Sequence, residues 1–121
     1  MSAGGDETRR AMRRLIAELR EFAARQGDEI TARVMPRWVA LRSKRVQKVF
    51  AELRPSRERI QVFVLPPRWE LGDWTLASMA PISQGWGWFK SKFYVEGDGD
   101  VRSAIRLLRI SYLYSLRSRK Q

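Results

Sequence analysis

Apolar positions divide this chain into two helical stretches flanking a set of short extended ones. Met12, Leu15, Ile16, Leu19, Phe22 and Ala23 recur at spacings of three and four, the signature of one face of an amphipathic helix. The pattern predicts a helix over 7–26, with Asp6 or Thr8 as N-cap and Gly27 as its stop. The other face carries Arg9, Arg13, Arg14, Glu18, Arg20, Glu21 and Arg25. Its mixed sign reads as a solvated surface. Near the C-terminus, Val101, Ala104, Ile105, Leu108 and Tyr112 form a second stripe, widened by Leu107, Ile110, Leu113, Tyr114 and Leu116. That predicts a helix over 100–117, capped by Asp98 or Asp100. A face so broad calls for deep packing or a second partner.

The intervening residues read as strands. Trp38 to Leu41 begins a strand over 37–42, followed by a basic turn at Ser43-Lys44-Arg45. Ile60 to Leu65 is the most strand-like run of the chain, and Pro66-Pro67 ends it because proline cannot donate to a ladder. Asp28 to Pro36 is a connector with a short extended piece at 30–34. The run 45–53 is ambiguous. Val46, Val49, Phe50 and Leu53 have helical spacing, yet the Arg54-Pro55-Ser56-Arg57 turn after it favours a hairpin. A long connection over 68–88 carries Trp69, Trp74 and Trp86 and leads to a last strand over 88–95.

The succession VFAELRPSRERIQVFVLP, a Gly/Trp-rich connection, FKSKFYV and DGDVRSAIRLLRISYLYSL resembles the small uncharacterised domain of "predicted transport protein" families. The resemblance spans about residues 37–116. It implies an α+β domain with 45–53 as a strand, and it carries no catalytic residues to transfer. The expected fold is therefore α+β: an antiparallel sheet of about four strands (37–42, 45–53, 59–65, 88–95) with both helices packed mainly on one face. Residues 1–5 are expected to be disordered, 6–117 to form one domain and 118–121 to be a basic tail.

Charge narrows the function. Twenty-four Lys and Arg stand against thirteen Asp and Glu, a net charge of +11. The surplus favours a polyanionic partner. It concentrates in the middle of the chain and at its C-terminal end. There is no Cys and no His, which excludes disulfides, thiolate chemistry, Ser-His triads and the usual zinc ligands. The N-terminal stretch lacks the apolar core of a signal peptide. No run approaches the roughly 20 apolar residues of a membrane span. The expected location is cytoplasmic.

Two constellations could carry chemistry. In the last strand, alternation places Phe89, Ser91, Phe93 and Val95 on one side and Trp88, Lys90, Lys92 and Tyr94 on the other. Aromatic rings stack on bases and lysines meet phosphates, as in sheet-based binders of single strands. The competing reading packs Trp88 and Tyr94 beneath the Trp-rich connection. The second constellation is Arg42, Lys44, Arg45, Lys48, Arg54, Arg57 and Arg59, in and beside two turns, positioned to project from one edge toward phosphates. Carboxylates offer less. Glu18-Leu19-Arg20 and Glu52-Leu53-Arg54 lack the acid-x-lysine pattern of metal-dependent nucleases, and capping accounts for Asp98 and Asp100. No catalytic residue, metal or cofactor is expected. The sequence thus reads as a non-enzymatic module for RNA or single-stranded DNA, or for a nucleoprotein. The alternative is a protein-interaction subunit of a phage, defence or secretion assembly, with the last helix as its contact.

Overall fold

The computed structural model describes residues 5–67, 70–71, 78–79 and 89–117. The expectations for Trp69, Trp74, Trp86, Trp88, the first four residues and the tail 118–121 lie outside them. Among these residues two helices, α1 (Asp6–Arg25) and α2 (Asp98–Arg117), accompany six strands: β1 (Ile30–Val34), β2 (Val39–Ser43), β3 (Lys48–Pro55), β4 (Ile60–Val64), β5 (Ser78–Met79) and β6 (Ser91–Val95). The fold is α+β, as expected. The strands form one antiparallel sheet in the order β1-β2-β3-β4-β6-β5. Five of them are substantial rather than four, because the 30–34 piece of the connector is the edge strand β1. Its outward Thr31 and Arg33 are exposed, and polar or charged positions of this kind discourage edge-to-edge association.

β3 resolves the ambiguous run as a strand, and it also explains the ambiguity. Leu41 pairs with Ala51 while Arg42 pairs with Val49. Phe50 is therefore an extra residue, a bulge in the ladder. The bulge breaks the period of two and leaves Phe50, Ala51 and Leu53 all buried, which imitates helical spacing. The strand starts at Lys48 rather than 45, because the turn extends to Gln47, whose φ of 54° is left-handed. The next turn also shifts. Pro55 closes β3 opposite Ile60, and the bend lies between Ser56 and Arg59, whose carbonyl accepts from the Ser56 N–H at 2.8 Å.

Both helices pack on one face of the sheet, against Ile30, Val39, Leu41, Phe50, Leu53, Ile60, Val62 and Phe93, all buried. They also pack on each other and run in the same direction. Glu7, Thr8 and Ala11 lie near Glu96 and Gly97, where α2 begins. Glu18 reaches Arg109, and Phe22 meets Tyr112 edge-to-face at 6.0 Å. Three contacts thus account for the breadth of the α2 stripe: α1, β3 with β4, and β6. Among its apolar residues only Leu113 is as much as 41% exposed.

Both helix starts differ from expectation: α1 is capped by Gly5, and α2 begins at Asp98, so Asp98 and Asp100 lie inside it. Gly27 stops α1 as expected, with φ 76° and the Asp28 N–H bonded to the Ala23 carbonyl at 2.9 Å. At the start, Gly5 is the N-cap without a side-chain cap bond. Thr8 is inside the helix, buried, and donates to the Arg57 carbonyl at 3.2 Å. Asp6 pairs with Arg9 at 2.6 Å. The packing of α1 on the Arg57 turn takes the hydroxyl that would otherwise cap. At α2, Asp100 in the first turn accepts from the Glu96 N–H at 3.0 Å.

Candidate nucleic-acid interface

The register sorts the sheet residues between two faces. Side chains toward the helices are mostly buried, and on the opposite face Glu52 and Phe63 are buried too. On the opposite face lie Thr31 and Arg33 of β1, Ala40 and Arg42 of β2, Val49, Glu52 and Arg54 of β3, Gln61 and Phe63 of β4, and Lys92 and Tyr94 of β6. Four strands therefore contribute a cation to one surface: Arg33, Arg42, Arg54 and Lys92. Among the described strand residues, Glu52 is the one acid on it. Glu52 is 4% exposed, and its Oε1 accepts from the Arg54 Nε at 2.5 Å. Residues i and i+2 of a strand share a face, so the Glu52-Leu53-Arg54 spacing makes an internal ion pair. The Arg54 guanidinium also lies 5.4 Å from the Trp38 ring centre and 5.0 Å from that of Phe63.

The β6 constellation is partly as expected. Ser91, Phe93 and Val95 are buried toward the helices, while Lys92 and Tyr94 face the other way, each half-buried. The strand begins at Ser91 rather than 88. Lys90 precedes it, exposed, with its N–H bonded to the Val64 carbonyl at 3.1 Å. Phe89 does not share the Ser91 side. Its ring lies 6.1 Å from that of Phe63, beside Trp38, Ala40, Val49 and Glu52. The alternation fails there because residue 89 is outside the ladder. Tyr94 is engaged: the Arg59 guanidinium sits 3.8 Å from its ring centre, and its hydroxyl lies 3.4 Å from Gln61 Nε2, the donor. One face of that ring already carries a cation.

The seven basic residues do not share an edge. Lys44 and Arg45 are at the β2–β3 turn, with Arg42 and Lys48 beside it. Arg57 and Arg59 are at the β3–β4 turn. The eight-residue β3 separates the two ends by roughly 25 Å. The sequence joins the turns because they are close along the chain, but a hairpin strand sends successive turns to opposite ends. The two ends also differ in sign. Arg57 and Arg59 sit among Glu58 and Glu96, with Arg59 3.5 Å from Glu96. At the other end Arg42, Lys44 and Gln47 line a shallow recess with Thr31, and Lys44 is 3.8 Å from Glu29.

Arg33 was not legible as a site residue. Its only signal is the alternation of exposed Thr31 and Arg33 with Ile30 and Ala32, too short to identify before the strand is paired. No group of three or more acidic, His or Cys residues able to hold a metal occurs among the described residues, and none of the described helices is long and apolar enough to cross a membrane. No protein-family model, curated protein or solved structure matches this chain.

Proposed function

We propose that this chain is a non-enzymatic module that binds RNA or single-stranded DNA across the sheet face opposite its helices. The observation that carries this reading is the convergence of Arg33, Arg42, Arg54 and Lys92 on a surface where, among the described strand residues, the one acid is buried and paired. Arg42, Lys44 and Arg45 extend it at the β2–β3 turn. Backbone phosphates meet these cations, which supplies affinity without sequence information. Arg57 and Arg59 contribute less, because Glu58 and Glu96 offset them. Lys90, exposed just before β6, adds a further cation.

The test is fluorescence anisotropy with a labelled single-stranded oligonucleotide over a salt series. Affinity should fall steeply as salt rises, and the double change Arg33→Gln, Arg42→Gln should flatten the log–log slope by about 1.4. Trp88→Ala should cost more affinity than Lys90→Ala if bases stack. Binding that ignores salt, or that the double variant leaves unchanged, would refute the assignment. For the protein-interaction alternative, α2 is the weaker motive, since it packs most of its apolar width inside the molecule.

A further inference from the structure

The helix layer carries a second concentration of positive charge, on the other side of the molecule from the sheet surface. α1 and α2 lie side by side, and their outer flanks enclose a groove of about 280 Å³. It is lined by Arg14 and Glu18 of α1 and by Arg102, Ile105, Arg106 and Arg109 of α2. Residues 14 and 18 are one turn apart, and 102, 106 and 109 follow the i, i+4, i+7 stripe of α2. The outer flank of α1 alone reads as mixed solvated surface, and the charged residues α2 adds to it are all cations. Side by side, they set four guanidinium groups against one carboxylate.

Arg109 is held in place. Its guanidinium carbon is 4.9 Å from the Phe22 ring centre, and its side chain is 36% exposed. Its contact with Glu18 is long, 3.8 Å, and its Nε is buried without a hydrogen-bond partner. A guanidinium has five N–H donors in a planar fork, so this one is short of acceptors. Its ordering is already achieved before any ligand arrives, which favours binding. Arg102 and Arg106 are exposed at the rim. Neighbouring like charges repel, and a multivalent oxyanion between them relieves that repulsion while supplying acceptors.

We infer that this groove binds a condensed phosphate chain, the polyphosphate part of a nucleotide or an inorganic polyphosphate. The volume lies just below that of small-molecule pockets, roughly 300–1,000 Å³, which suits a compact anion. Ile105 is the apolar residue of the lining, so the groove offers no aromatic ring to hold a base. The site is separate from the sheet surface and does not depend on the function proposed for it.

The experiment titrates tripolyphosphate into the full chain by calorimetry at constant ionic strength. Saturable binding is expected, accompanied by a rise in unfolding temperature. R102Q and R106Q should each weaken it about tenfold, the worth of one charge-assisted hydrogen-bonding group. E18Q should tighten it, because the competing carboxylate is gone. Arg25→Gln, outside the groove lining, should leave it unchanged. ATP should bind about as tightly as tripolyphosphate. Absence of saturable binding, equal loss in R25Q, or insensitivity to R102Q would overturn the site. So would ATP binding far tighter than tripolyphosphate, or a single-stranded oligonucleotide that displaces tripolyphosphate from the groove.

Discussion

Asp28 ties together three parts of the chain that are distant in sequence. Its Oδ2 accepts from Ser43 Oγ at 2.5 Å and from the Tyr112 hydroxyl at 2.7 Å; its Oδ1 accepts from the N–H groups of Glu29 and Arg45 at 2.7 and 2.9 Å. Partial burial pushes this carboxyl up, but those hydrogen bonds outweigh burial and hold it below its ordinary value of 3.8. Burial, and then the bond to Asp28, push the Tyr112 phenol up. A carboxyl depressed on folding stabilises the protein above its unfolded pKa and loses that contribution as pH falls through the folded value. Asp28→Asn should therefore cost about 1–2 kcal/mol at pH 7 by urea unfolding. The gap to the unchanged protein should narrow below about pH 4. Glu52 and Arg54 make a different case. Changing Arg54 to Met leaves a buried carboxylate without its partner, and about 3 kcal/mol of stability should be lost. Glu52→Gln in the same background should restore much of it.

Each element reflects a local rule modified by a neighbour. The β3 bulge directs Phe50 toward the helices, where its ring meets Tyr112 at 5.4 Å, and its carbonyl accepts from buried Ser111. The same Ser111 Oγ accepts from the Leu65 N–H at 3.0 Å, so one α2 hydroxyl serves both β3 and the end of β4. The depth of α2 is testable by truncation. Leu107→Ala, at a fully buried position, should cost about 2–5 kcal/mol. Leu113→Ala, at an exposed one, should stay within about 0.5 kcal/mol. Equal costs in thermal or chemical unfolding would mean that Leu113 is covered by something else. The two helical spans and the Ile60 strand were legible within a few residues, because each has an uninterrupted period. The run at 45–53 was not, because a bulge removes the period on which such a reading depends.

Across the whole molecule, charge is sorted by the ends of the helices. Because α1 and α2 run in the same direction, their N-termini meet near Glu7, Glu58 and Glu96, with Asp6 and Asp100 in their first turns. Acids are favourable at the positive ends of helix dipoles. Their gathering there leaves the sheet surface and the interhelical groove basic. With no His in the chain and Arg charged far above neutrality, oligonucleotide affinity should vary less than about threefold between pH 6 and 9. A sharp loss across that window in anisotropy measurements would indicate that a titrating group, absent from the proposed surface, controls binding.

The sequence by itself determined the class of fold, the two helical spans, the strand at Ile60 and the net positive charge. These depend on spacings of two to four residues and on composition, which no tertiary contact can change. Tertiary structure alone decided the register at Phe50, the division of Arg42, Lys44 and Arg45 from Arg57 and Arg59, and the meeting of Arg14 with Arg102, Arg106 and Arg109. It also set Asp28 against Tyr112, 84 positions away. Such placements depend on which buried faces pack together. Helix and strand periodicity states that a face will be buried, and only the assembled layers decide what polar groups are brought side by side around it.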